Sequence, residues 1–130
     1  MPKFILNKLV RDKLKDEYIH DNQKVVYREL SISDFKHELI NKIIEEAKEI
    51  EIDGKNDDII SEIADIQQVL DDLIKLSGFT KNQIECAKKV KYDRKGGFAD
   101  AIFVETLELA DNDKWIEYYR KYSDTFLEIK

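Results

Sequence analysis

The segment IIEEAKEIEIDGKNDDIISEIADI (Ile43–Ile66) decides how this chain folds, because two apolar helical patterns meet there across a polar turn. Before the turn, Phe35, Leu39, Ile40, Ile43, Ile44, Ala47 and Ile50 recur at spacings of three and four, the signature of one helix face. After it, Ile59, Ile63, Ile66, Leu70, Leu73 and Ile74 do the same. Between them, Asp53–Asp57 reads DGKND, a turn built on Gly54, with Asn56 or Asp57 able to cap the helix that follows. A short connection between two long helices predicts an antiparallel pair.

The acids of this segment share a geometry. At about 100° per residue, the apolar stripe of the first helix centres near Ala47 and Ile43, with Glu46 and Glu49 displaced to one side. Glu62 and Asp65 fall at matching offsets, in the same rotational sense, on the second helix. In an antiparallel hairpin, equal offsets of equal sign land on one side. Glu49 and Glu62 are also equally far from the middle of the turn, as are Glu46 and Asp65. Four carboxylates at the border of the core would repel and raise one another's pKa unless something neutralised them. A hard divalent cation does so, and Mg²⁺ suits such a site because it keeps room for water and phosphate ligands, with Mn²⁺ as a substitute. Any single Glu on a helix flank is ordinarily a solvated charge. The matched double pair is what favours a metal site.

Outward from the hairpin, the spacing predicts a first helix over about Leu9–His20 and a short extended segment or strand at QKVVYREL, residues 23–30. Ser33 is expected to cap the next helix, and the one after it to run from about Asp58 to Ser77 and stop at Gly78. TKNQ (Thr80–Gln83) resembles a capping box and opens a helix through about Tyr92. KGGF (Lys95–Phe98) breaks the pattern, and residues 111–130 form an aromatic C-terminal tail around KWIEYYRKY. Cys86 is expected to pack within its helix, and His20 and His37 to lie on the surface. The reading is all-α: one domain over residues 1–130, an antiparallel helical bundle.

Composition narrows the function. The 130 residues are 38% charged with a formal charge of −6, which argues against unspecific binding to nucleic acid or to an anionic membrane. A single cysteine permits no intrachain disulfide, and no apolar run is long enough for a signal peptide or a membrane span; these features predict a cytoplasmic protein.

The ordered set of motifs resembles a family. E-E-x-x-E (Glu45, Glu46, Glu49), followed after the turn by E-x-x-D (Glu62, Asp65), is similar to the MazG-like all-α nucleoside triphosphate pyrophosphohydrolases. NKLVRDK (Asn7–Lys13) and KYDRKGGF (Lys91–Phe98) resemble flanking segments of a subgroup related to phosphoribosyl-ATP pyrophosphohydrolase, and WIEYYRKY resembles a tail of some members. The chain departs from that pattern at Lys15, where a proline is common, and at Lys95, where an arginine is. The resemblance implies a MazG-like helical bundle assembling as a homodimer or homotetramer. It implies Mg²⁺-dependent hydrolysis of the α–β phosphoanhydride of a nucleotide to a monophosphate and pyrophosphate. It makes Glu46, Glu49, Glu62 and Asp65 the metal ligands and gives Glu45 a supporting or water-orienting role.

The residues suit that chemistry. Phosphoanhydride cleavage asks mainly for positioning and for neutralisation of spreading negative charge. Glu49 or Glu45 could accept a proton from the attacking water. Lys8, Arg11 and Lys13 before the acid helices, and Lys91, Arg94 and Lys95 after them, are candidate phosphate contacts. Lys8, Arg11, Lys91, Arg94 and Lys95 form the candidate substrate-binding set. Two other functions compete: phosphoribosyl-ATP pyrophosphohydrolase, and a non-catalytic acidic helical interaction module.

Overall fold

The structure, a computed structural model, describes residues Met1–Lys130 and contains helices without strands. The helices are α1 (Leu14–His20), α2 (Ile32–Lys48), α3 (Asn56–Leu76), α4 (Lys81–Lys95) and α5 (Ile116–Lys121). The chain divides into two compact units, Met1–Arg94 and Lys95–Lys130. None of the helices is long and apolar enough to cross a membrane.

The hairpin of α2 and α3 is the one extensive helix–helix contact. Its ends are set by local chemistry. Ser31, with extended backbone, caps α2 by accepting the Asp34 N–H at 3.2 Å. The cap is therefore Ser31 and not Ser33, which lies inside the first turn. The last turn carries Lys48, complementing the negative end of the helix dipole.

The turn is tight at Gly54, whose N–H donates to the Glu51 carbonyl at 2.9 Å. A Cβ there would sit 3.0 Å from that same oxygen, so a side chain would push the turn open. α3 starts earlier than Asp58: Lys55 occupies the cap position, and Asn56 and Asp57 lie within the helix. At its far end Gly78 adopts φ 80°, donating to Lys75, while Phe79 N–H donates to Ile74 at 3.1 Å. That pair of reversed bonds closes the helix as a Schellman motif.

The expected capping box at α4 forms in full. Gln83 Oε1 accepts the Thr80 N–H at 2.8 Å, and Thr80 Oγ1 accepts the Gln83 N–H at 3.1 Å. α4 continues to Lys95, past Tyr92, but buries no residue. Cys86 is exposed there and does not pack, because α4 lays no apolar face on the hairpin.

Two other expectations change. Residues 23–30 make no strand, since Val25 and Val26 find no second strand to complete a ladder. α1 starts at Leu14, and residues 1–13 stay non-helical. In the second unit, α5 carries the aromatic tail: Trp115 meets Tyr118 edge-on at 5.6 Å, and Tyr119 meets Phe126 at 4.9 Å.

The hairpin buries little of its apolar stripe. Leu39 and Val69 are its buried apolar side chains, while Ile40 and Ile44 are each 49% exposed, Ile63 46% and Leu70 40%. Taking roughly 100° per residue from the buried centre of each helix, these four fall on one side of the hairpin. Glu45, Glu49 and Asp65 fall on the other. The stripe is wider than one neighbour can cover. As a result α2 turns Glu46 inward with Leu39, and Glu46 becomes the buried charged residue of the chain.

Candidate metal centre

Three carboxylates converge where α2 ends and α3 begins. Glu46 comes from the last turn of α2, Glu49 caps its C-terminus, and Glu62 lies in the second turn of α3. One carboxylate oxygen of each lies within 4.8 Å of the others. Glu46 is not at the border of the core, as the spacing suggests, but inside it, with only 10% of its side chain exposed.

Glu46 is held by one oxygen. Lys42, one turn earlier on α2, approaches Glu46 Oε1 at 3.5 Å and Glu45 Oε1 at 3.3 Å. Glu46 Oε2 and Glu62 Oε2 are buried with no hydrogen-bond partner. A buried acceptor without a donor is costly, and a carboxylate one more so. Burial raises the pKa of both groups above the usual carboxylate value, with Glu49 and then Asp65 adding to it at Glu46 against the pull of Lys42. At Glu62, Glu49, Glu46 and Asp65 add to burial in the same direction. Two orphaned oxygens and neighbouring like charges match the requirement for a hard cation.

Asp65 belongs to the neighbourhood but not to the converging set. The Arg11 guanidinium donates to Asp65 Oδ1 at 2.5 Å, while Lys8 Nζ lies 3.3 Å from Glu45 Oε1. Burial works to raise the Glu45 pKa, but hydrogen bonding and charge from Lys42 and Lys8 outweigh it and hold the carboxyl below its ordinary value. The patch thus sets Glu45, Glu46, Glu49, Glu62 and Asp65 against Lys8, Arg11 and Lys42. The excess is two negative charges, the charge of one divalent ion.

Of the candidate phosphate contacts, Lys8 and Arg11 reach the acids, and Lys91 and Arg94 stand exposed on α4. Lys95 belongs to the other compact unit. Lys42 joins the site beyond the residues that the motifs mark, and its spacing of three and four from Glu45 and Glu46 is the ordinary signal of a helical ion pair. A small cavity of about 230 Å³ adjoins the triad, lined by Glu49, Glu51, Gly54, Asp58, Ile59 and Glu62. No family model matches the chain, and neither a curated protein nor a solved structure matches it.

Proposed function

We propose that the protein is a Mg²⁺-dependent nucleotide pyrophosphohydrolase, cleaving the α–β phosphoanhydride of a nucleoside triphosphate to a monophosphate and pyrophosphate. The observation that carries the reading is the triad Glu46, Glu49 and Glu62, with the unpartnered buried oxygens of Glu46 and Glu62. The resemblance of E-E-x-x-E and E-x-x-D to the MazG-like pattern supplies the reaction.

The residues present fit a divalent ion: hard oxygens, excess negative charge and buried acceptors without donors. Bound there, Mg²⁺ would polarise phosphate oxygens and acidify a coordinated water. The protein's own contribution is positional. Lys42 fixes Glu46 so that Oε2 is the free oxygen, and Glu49 and Glu62 close the other sides. Of the two candidate proton acceptors, Glu45 is the weaker, because Lys42 and Lys8 stabilise its anion. Glu49, at the exposed rim, is the better placed to take a proton from water. Lys8 and Arg11 provide charge for the outer phosphates.

The same reading includes a second copy of the chain. The exposed Ile40, Ile44, Ile63 and Leu70 of the hairpin are half of an apolar stripe that no other helix of Met1–Arg94 covers, and a two-fold partner presenting the same face would complete a four-helix core.

The test is pyrophosphate release from a panel of nucleoside triphosphates and from phosphoribosyl-ATP, with and without Mg²⁺. Metal-dependent release from the triphosphates supports the proposal. Release from phosphoribosyl-ATP alone assigns the histidine-pathway reaction instead, and no release from any of them leaves the acidic interaction module.

A further inference from the structure

Lys8 and Arg11 lie on the non-helical segment before α1, yet they reach different helices of the hairpin. Lys8 meets Glu45 on α2, and Arg11 meets Asp65 on α3. The segment therefore straps across the acid side. Asn7, at φ 45°, turns the backbone just before Lys8, and the Arg11 carbonyl accepts the Leu14 N–H at 3.0 Å, tying the strap to the start of α1.

Two features make this contact exchangeable. The Arg11 side chain is 63% exposed and that of Lys8 44%, so each pair is screened and worth about a fivefold preference at most. Asp65 is also near enough for its charge to act on both Glu46 and Glu62, although it sits outside the triad. The Arg11 guanidinium holds the carboxylate that a cation in the triad would attract next. Within the triad, Glu46 is nine-tenths buried and directs an unpartnered oxygen toward Glu49 and Glu62.

We propose that the strap is an internal counter-ion that trades places with the divalent cation: Arg11 and the cation compete for Asp65, and cation entry frees Lys8 and Arg11 for the phosphates of the anionic substrate. The proposal rests on the triad being a cation site. It assigns the same two side chains two successive partners, acids first and phosphates second.

The test is Mg²⁺ titration by calorimetry of the full chain and of Arg11→Gln and Lys13→Gln, with backbone ¹⁵N relaxation of Asn7–Lys13. Lys13 controls for the general loss of one positive charge from the same segment. Arg11→Gln should bind Mg²⁺ about fivefold more tightly than Lys13→Gln does. In the unsubstituted protein the strap amides should gain fast mobility at Mg²⁺ saturation, and in Arg11→Gln they should be mobile from the outset. An Arg11→Gln affinity no tighter than that of Lys13→Gln, or strap amides that do not respond to Mg²⁺, overturns the strap while leaving the triad standing. Absence of Mg²⁺ binding in all three proteins overturns the triad and the strap together.

Discussion

Lys42 holds one oxygen of Glu46 and leaves the other free: its ammonium lies 3.5 Å from Oε1, and Oε2 has no partner. One helical turn thus both stabilises a buried carboxylate and aims it. Lys42→Met should leave Glu46 charged in the core without its cation, at a cost of about 1–3 kcal/mol in urea denaturation. The double variant with Glu46→Gln should recover most of that loss. Equal stability of Lys42→Met and the parent would contradict the arrangement.

Acid and metal should compete. Burial, then neighbouring carboxylates, raise the Glu46 and Glu62 pKa above the ordinary 4.5, so the folded chain binds these protons more tightly than the unfolded chain does. Their contribution to stability is full below the unfolded value and is lost as pH rises through the folded ones. Glu45 behaves oppositely, its contribution being lost as pH falls through its lowered value. Mg²⁺ must displace the Glu46 and Glu62 protons, so its affinity should weaken as pH falls into their range. Calorimetry across that range checks it; a pH-independent affinity would count against these ligands.

Glu62→Gln preserves shape and removes one charge from the triad. Without metal its melting temperature should equal or exceed that of the parent. At a Mg²⁺ concentration of one hundred times Kd the parent should gain about 2.7 kcal/mol, a gain the variant should lose along with turnover. Retained activity in Glu62→Gln would remove it from the site.

At the other end of α3, Gly78 occupies φ 80° with open space around the missing Cβ. The penalty for Gly78→Ala is therefore conformational and not steric, about 1 kcal/mol. Gly78→Asn should cost less, because Asn tolerates the left-handed region. Chemical denaturation separates them, and equal losses would point to a contact that the structure does not show.

The exposed apolar side predicts assembly. Light scattering should find a dimer or a larger closed assembly of the parent chain, and Ile44→Glu or Leu70→Glu should shift it toward monomer. Monomeric parent protein at micromolar concentration would refute the second copy.

The α2–α3 hairpin was legible because period and turn chemistry agree over Phe35–Ile74, and the Thr80–Gln83 box because both of its partners are local. Three members of the acid set were legible for the same reason. The depth of Glu46 was not: an apolar stripe spanning Phe35, Leu39 and Ile44 does not say which part of its width a single neighbour will take. The strap was not legible either. Lys8 and Glu45 are 37 residues apart, and Arg11 and Asp65 are 54 apart, so no local spacing announces them. A helix reaching back to Leu9 does not form; that stretch instead carries Arg11, paired with Asp65 on α3.

The two sides of the hairpin carry separate groups of residues, apolar on one and acidic on the other. Ile44 and Leu70 can vary without touching Glu49 or Asp65, and the reverse holds, so substitutions on opposite sides should combine almost additively. Were the proposed cation site and the proposed second copy both to hold, such a helix pair could change one of them without disturbing the other.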